Sequence, residues 1–434
     1  MQQVNVGIVG LGTVGLGTLT ILSENAEQIA TKLGFSLCVK AVCSRTVETK
    51  TLPPGLGQVQ KTCDWRDVVA NPEIDVIAEL VGGTSVAREL VDAAIRGGKS
   101  VVTANKEMMA LHGSEIWDHA IGEGVNLGIE ASVAGGIPIL AVLREGIAGD
   151  RVTGLFGILN GTCNYILTEI EKHNTPFDAV LAEAQRLGYA EADPTMDIDG
   201  FDARSKLAIL AALAFGERIT PSDIYTEGIR RVMPVDFLYA RQMDYTIRLI
   251  AAARQTSSGL ILSVRPSLVA NSTILAGVRG PYNAIWVRGL FGEDTFYYGR
   301  GAGAQPTGVA VVSDLMRVAR EIRSGSPARV SPFAHERLGE YEPIPIARLK
   351  SPYYLRFRVE DRPGIIARLA VVLAAKGISI DAVLQLPEEN WRDLPFVITT
   401  QPTTEESLCA AMEEMSTHDY LIEAPFAMPM EAKL

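Results

Sequence analysis

Residues 4–15, Val4-Asn5-Val6-Gly7-Ile8-Val9-Gly10-Leu11-Gly12-Thr13-Val14-Gly15, carry the reading on which the rest of the chain depends. Val4 to Val9 has the continuous apolar character of a strand buried on both faces, and the glycines that follow form a tight turn that opens a helix, read over Val14 to Ala30. The spacing Gly10, Gly12, Gly15 is GxGxxG. Between a strand and a helix, such glycines let the backbone approach a pyrophosphate at the helix N-terminus, where free amides and the dipole favour an anion. The turn predicts a dinucleotide site on Gly10, Gly12, Thr13, Val14 and Gly15. Gly17, beyond the motif, reads as a helix-packing glycine.

Working outward, further apolar runs at Leu37 to Cys43, Val76 to Val81 and Ser100 to Thr103 alternate with helical or turn segments such as Ala87 to Arg96, closed by Gly97-Gly98. That alternation predicts an α/β fold with a doubly wound parallel sheet. From about Leu127 the pattern changes to helices over Pro176 to Leu187 and Ala203 to Phe215, with strand-like Ile261 to Pro266 and Ala284 to Gly289, which reads as a mixed α/β domain. Val309 to Ile322 is helical in period. Ser324 to Lys350, rich in Pro, Ser and Arg and without period, reads as a linker. Beyond it, Tyr353 to Val359, Asp361-Arg362-Pro363-Gly364, Ile365 to Lys376, Ile378 to Leu386, Pro395 to Thr400 and Thr404 to Ser416 spell a βαββα module.

The chain has 434 residues, 47% hydrophobic and 21% charged, with a formal charge of -11. Its length predicts several cores, and its acidity disfavours nucleic acid or an anionic membrane surface as partners. The five cysteines, Cys38, Cys43, Cys63, Cys163 and Cys409, lack CxxC or metal-type spacing, which points to a reducing compartment. Leu207 to Phe215 is too short to span a bilayer, and the apolar start has no basic leader, so a cytoplasmic location is expected.

Several positions carry candidate chemistry. After the second strand stands Cys43-Ser44-Arg45, without the acid that NAD-binding folds place on the ribose hydroxyls. Arg45 can grip a 2'-phosphate, favouring NADP with NAD as the alternative, or be a solvated loop charge. Val81-Gly82-Gly83-Thr84 reads either as a loop over the cofactor or as an ordinary strand-to-helix turn. Lys106, in Thr103-Ala104-Asn105-Lys106, falls at the carboxyl edge of the sheet, where such folds bind ligands, although a surface charge opening a helix reads the same. In Glu130 to Pro138 a small-residue turn can free carbonyls to coordinate a hard cation beside one carboxylate, or be just a turn. Asn160-Gly161-Thr162-Cys163-Asn164 can hold a polar substrate. Cys163 reads as a small packing residue, the competing reading being the thiol nucleophile of an acyl-forming semialdehyde dehydrogenase.

The densest polar stretch is Gly188 to Lys206, with Glu191, Asp193, Asp197, Asp199, Asp202 and Lys206. Asp202 and Lys206 are one helical turn apart and so share a face, and Lys206 leads into an apolar run. One reading is a helix capped by Asp199 or Asp202 with an i,i+4 ion pair. The other is a set of carboxylates holding the ammonium of an amino-acid substrate while Lys206 shuttles a hydroxyl proton during hydride transfer.

These motifs in this order resemble the homoserine dehydrogenases over nearly the whole chain: GLGTVG, ELVGG, TANK, EASVAGGIP, NGTCNYI, GYAEADPTMDIDGFDARSK and GRGAGAQPTGVAVVSDL. The C-terminal module resembles an ACT domain of ferredoxin-like fold. The resemblance implies a Rossmann-type NAD(P)-binding domain over 1–128, completed by 300–323, a catalytic and dimerisation domain over 129–299, a linker over 324–350 and an ACT regulatory domain over 351–434. It implies interconversion of L-homoserine and L-aspartate 4-semialdehyde, L-threonine as effector, and a homodimer or homotetramer. Carried over by motif, Lys206 and Lys106 are catalytic, with Lys106 beside the nicotinamide. Gly188, Glu191, Asp197 and Asp202 bind substrate, and Gly303 touches the cofactor. Glu130 with the carbonyls of Val133, Gly135 and Ile137 matches a monovalent cation site, for sodium or potassium. Where the family usually shows a Val-Arg pair after the second strand, this chain has Ser44-Arg45 on a longer register, which leaves NADP against NAD open.

Overall fold

The strand read from Val4 to Val9 spans Gln3–Val9 in the computed structural model, which describes residues 3–56, 58–325, 335, 337–360, 362–386 and 394–431. Residues 326–334 and 336 of the expected linker, and Asp361 of the loop opening the C-terminal module, lie outside these. The chain forms two compact units, one of residues 1–153, 205–222 and 287–341, the other of 154–204, 223–286 and 342–434. Among the described residues no helix is long and apolar enough to cross a membrane.

In the first unit, β1 (Gln3–Val9), β2 (Ser36–Cys43), β3 (Gln60–Thr62), β4 (Val76–Glu79), β5 (Ser100–Thr103) and β6 (Leu127–Gly128) make one sheet in the order β3-β2-β1-β4-β5-β6. Every pair is parallel, with Ile8 opposite both Val42 and Ala78. This is the doubly wound order, whose switch point lies between β1 and β4 at their carboxyl ends, where such sheets bind ligands. The helix after the glycine turn runs from Thr13 to Glu24, and a second begins at Ala26. The single helix expected to Ala30 is therefore interrupted at Asn25 (φ -103°, ψ 14°), a residue whose short polar side chain favours caps and turns over helix interiors.

The helix Ala304–Ser324 returns to this unit from far along the chain. Its Val311, Leu315 and Val318 share one core with Val6, Ile8, Leu19 and Leu22. Each such burial is worth about 1.5–3 kcal/mol. Gly17 fits its expected role, since a Cβ there would lie 2.2 Å from the Ala304 carbonyl oxygen.

In the second unit, β7 (Val152–Ile158), β8 (Tyr245–Thr256), β9 (Gly259–Ala270), β10 (Tyr353–Val359), β11 (Ile380–Gln385), β12 (Leu394–Thr400) and β13 (Phe426–Glu431) run in the order β7-β8-β9-β13-β10-β12-β11. β8 and β9 form a long hairpin, with Tyr245 opposite Ala270 and Thr256 opposite Gly259. The C-terminal module is a four-stranded sheet, β13-β10-β12-β11, with the helices Ile365–Ala375 and Glu405–Met415. Its core includes Leu355, Phe357, Leu369, Leu373, Phe396 and Leu408. It closes with a strand not read from the sequence, β13, which pairs with β10 on one side and with β9 on the other through Leu268–Met430 and Val269–Glu431. One continuous sheet thus joins the module to the strands before it.

Candidate active site

At the end of β1 the chain turns through Gly10, whose amide donates to the Cys43 carbonyl at 2.9 Å. A Cβ on Gly10 would stand 2.3 Å from the Leu80 carbonyl oxygen, and one on Gly15 1.9 Å from that of Gly10, so a side chain would fill the turn. Gly12 caps the helix that Thr13, Val14 and Gly15 begin, leaving their amides at its positive end. Around the turn lies a cavity of about 680 Å³ whose lining includes Gly10, Gly12, Arg45, Arg66 and Gly82. Arg66 is a second cation there, stacked over Trp65 at 4.5 Å and paired with Asp64 at 3.3 Å. Gly303 caps the returning helix with φ 134°, in the same unit. This cradle fits the pyrophosphate of a dinucleotide.

Lys106 opens the helix Lys106–Gly122 at the end of β5. Asn105 fixes its position by accepting from the Met108 amide at 3.1 Å and donating to the Gly83 carbonyl at 2.6 Å. Beneath both is Glu79, fully buried at the end of β4. Its carboxylate accepts from Thr103 Oγ1 at 2.5 Å and from the Val81 amide at 2.8 Å. Burial holds the Glu79 carboxyl above its usual pKa against these hydrogen bonds. One carboxyl therefore organises the loop 81–83 and the turn that carries Lys106.

Glu130, Val133, Gly135 and Ile137 lie on one buried turn of the first unit. The two Glu130 oxygens accept from the Leu140 amide at 3.0 Å and the Ala141 amide at 2.8 Å, while its own amide donates to Asp314 at 2.8 Å. Burial, then the nearby Asp314 charge, pushes the Glu130 carboxyl up to about 7. A cation beside it would offset that cost, so the turn fits a monovalent ion held by one carboxylate and carbonyls. Among the described residues, no three or more His, Cys, Asp or Glu side chains group as a metal site of their own.

The Gly188 to Lys206 stretch lies largely in the second unit. Gly188 takes φ 77° just beyond the helix Phe177–Arg186. Glu191 is exposed, and its carbonyl accepts from Gln185 Nε2 at 3.0 Å. Asp197 and Asp202 are brought together by a residue outside the stretch: Asn160 Nδ2 donates to Asp197 Oδ1 at 2.7 Å and to Asp202 Oδ2 at 2.8 Å. Its Oδ1 accepts from the Cys163 amide at 2.8 Å, capping the helix Gly161–His173 and locking the side chain. Lys206 follows Asp202 by one turn of the helix Phe201–Phe215, and both are buried. Asp199 stands two residues before that helix. Its carboxylate pairs bidentately with Arg230, at 2.5 and 3.1 Å.

The family model described as homoserine dehydrogenase matches residues 138–316, that described as its NAD-binding domain matches 10–130, and that described as the ACT domain matches 353–413. Homoserine dehydrogenase of Pseudomonas aeruginosa is 43% identical over 421 residues, covering 96% of each chain. The chain belongs to the homoserine dehydrogenase family.

Other members agree over the same length. Homoserine dehydrogenase of Neisseria gonorrhoeae is 40% identical, covering 99% of this chain and 98% of its own. The crystal structure of a homoserine dehydrogenase from Thiobacillus denitrificans superposes with a TM-score of 0.91 at 41% identity, covering 99% of both chains. A hyperthermophilic archaeal homoserine dehydrogenase in complex with NADPH gives 0.62 at 26% identity over 73% of this chain and 98% of its own. As a family member the chain is an oxidoreductase with an NAD-binding domain, acting on homoserine and aspartate semialdehyde on a nicotinamide cofactor.

Asn160, Glu79 and Arg66 were not singled out by sequence. Glu79 left one trace, a lone carboxylate ending the otherwise apolar strand Val76–Glu79. Asn160 stood within a stretch read as polar, but its partners are 37 and 42 residues away.

Proposed function

We propose that the chain reduces L-aspartate 4-semialdehyde to L-homoserine, reversibly, with Lys206 as proton donor and acceptor at the substrate oxygen. The observation that carries this is a buried lysine one turn after a buried aspartate whose carboxylate is tied, through Asn160, to a second one. A buried lysine is costly unless its charge is used or matched, and carboxylates that share one amide form a receptor for an ammonium group. Asp197 and Asp202, with Glu191 and the Gly188 backbone, hold the α-ammonium and orient the chain of the substrate. Gly10, Gly12, Thr13, Val14, Gly15 and Gly303 would hold the nicotinamide cofactor, which would supply a hydride for the aldehyde carbon. Lys206 delivers the proton to the carbonyl oxygen as charge develops there, and Lys106, which would lie beside the nicotinamide, stabilises that charge.

Arg45 favours NADP through its 2'-phosphate, and the archaeal relative complexed with NADPH is consistent with that choice. Glu130 and the carbonyls of Val133, Gly135 and Ile137 hold a sodium or potassium ion that braces the turn. The domains follow 1–128 with 300–323, 129–299, 324–350 and 351–434. The enzyme works in the cytoplasm as a homodimer or homotetramer, in threonine, methionine and isoleucine biosynthesis, with L-threonine acting through the ACT domain. The test is the initial rate of reduced-cofactor formation from L-homoserine, run in parallel with NADP and NAD and with L-threonine added. Turnover with neither cofactor, in folded protein supplied with sodium or potassium, overturns the reading.

A further inference from the structure

Two of the five cysteines, far apart in sequence, meet at the cavity around the glycine turn. Cys43 is the last residue of β2, and Cys63 follows the last residue of β3. The strands are parallel with Cys43 opposite Thr62, and the Ser44 amide donates to the Thr62 carbonyl at 3.1 Å. Neighbouring strands lie about 4.8 Å apart and rise about 3.3 Å per residue, so the residue one step beyond an opposing one has its Cα about 6 Å away, inside the roughly 4.4–6.8 Å that a disulfide spans. Both cysteines are free, Cys63 exposed and Cys43 buried, and both line the cavity. Each is also tied to its charged and glycine lining. The Cys43 carbonyl accepts from the Gly10 amide at 2.9 Å, and Ser44-Arg45 follow it directly. Cys63 leads into Asp64, which caps the helix Trp65–Ala70 by accepting from the Arg66 amide at 3.0 Å. Arg45 and Arg66 thus hang from the two strand ends that carry the thiols.

We propose that Cys43 and Cys63 are a peroxide-responsive thiol pair whose disulfide weakens nucleotide binding. The inference rests on the reading of this cavity as the nucleotide site and names a modification that controls it. Cys63, being exposed, reacts first: its sulfur attacks one oxygen of hydrogen peroxide, the O–O bond breaks, and the products are a Cys63 sulfenic acid and one water. The Cys43 sulfur then attacks the Cys63 sulfur, the S–O bond breaks, and the departing hydroxide takes the Cys43 proton as a second water. The two thiols lose two electrons and the peroxide gains them. Burial, then the Asp64 charge, pushes the Cys43 thiol up to about 11, which makes it the poorer first nucleophile and slows the closing step. The sulfenic acid therefore persists long enough to be trapped. The finished bond draws together the strand ends that carry Arg45 and Arg66 and pulls on the backbone that sets Gly10, so a phosphate held there loses its fit. By linkage, bound nucleotide resists the crosslink.

The test treats the reduced full-length enzyme with hydrogen peroxide, maps its peptides by mass spectrometry, and titrates both forms with NADPH by nucleotide fluorescence. The expected result is a linked Cys43–Cys63 peptide whose formation saturating NADPH slows, an NADPH affinity weakened about tenfold or more, and recovery of that affinity with dithiothreitol. Cys43→Ser should stop at a Cys63 sulfenic acid captured by dimedone, and Cys63→Ser should bind NADPH equally before and after peroxide. Cys43 and Cys63 that both remain alkylatable after peroxide, a crosslink that leaves NADPH affinity unchanged, or an equal loss of affinity in Cys63→Ser overturns the inference. The linked peptide is read without nucleotide or turnover, so failure of the thiol pair is distinguishable from failure of the cofactor reading.

Discussion

The carboxamide of Asn160 and the carboxylate of Asp202 are joined inside the protein by a hydrogen bond of 2.8 Å, and the other proton of the same amide goes to Asp197. Asn160→Ala removes both donors and the helix cap. A hydrogen bond to a charged group contributes about 1.5–3 kcal/mol, so KM for homoserine should rise on the order of tenfold to a hundredfold with a smaller change in kcat. Asn160→Asp keeps a cap acceptor but loses the bridge, which separates the two roles. Equal losses for homoserine and for the nucleotide would assign Asn160 to stability alone.

Cys163 is buried, and its thiol donates to the Asp197 carbonyl at 3.1 Å. That is a packing role. Cys163→Ser should therefore retain turnover to within about tenfold, since a hydroxyl keeps the donor at a modest cost in burial. Loss of all turnover, or a covalent acyl adduct seen by intact-mass measurement, would revive the thiol-nucleophile mechanism.

Much of the first unit was legible because its strands are buried on both faces and read as unbroken apolar runs, as Val4 to Val9 and Ser100 to Thr103 do. The β8–β9 hairpin was only half visible. Arg248 interrupts β8 yet is fully buried, its charge met by Glu171 at 3.1 Å and by the carbonyls of Ile247, Ala276 and Val278. An arginine satisfied by distant groups cannot be told in sequence from one facing water. β13 hid for another reason: Pro429 removes an amide from a six-residue strand and demotes it as a strand candidate. At the site, the carboxylates and Lys206 stood out by density along the chain. Asn160 and Glu79 acquire their meaning only through tertiary contacts.

Glu79 gives a pH signature. Its folded pKa lies above the ordinary glutamate value of about 4.3, so between the two values the folded protein binds more protons than the unfolded one. Stability from this group is present at acid pH and is lost as pH rises through that window. Glu79→Gln abolishes the titration, so as pH rises above the ordinary glutamate range the melting temperature of the variant should gain on that of the wild type. Parallel melting curves across that range would show that Glu79 titrates normally.

Arg45 lines the cavity around the glycine turn with Arg66. Arg45→Gln should raise KM for NADP by about tenfold, one charge-assisted contact to a phosphate, and leave KM for NAD nearly unchanged. A proportional rise for both nucleotides would remove Arg45 from cofactor selection.

The most direct measurement of the central claim is the turnover of L-homoserine by Lys206→Ala, set beside the nucleotide affinity of the same variant. Loss of a positioned proton donor costs about 10²–10⁴-fold, so kcat should fall by at least that range while nucleotide binding holds its wild-type affinity. Turnover near the wild-type rate would contradict the assignment of Lys206 as the proton-transfer group.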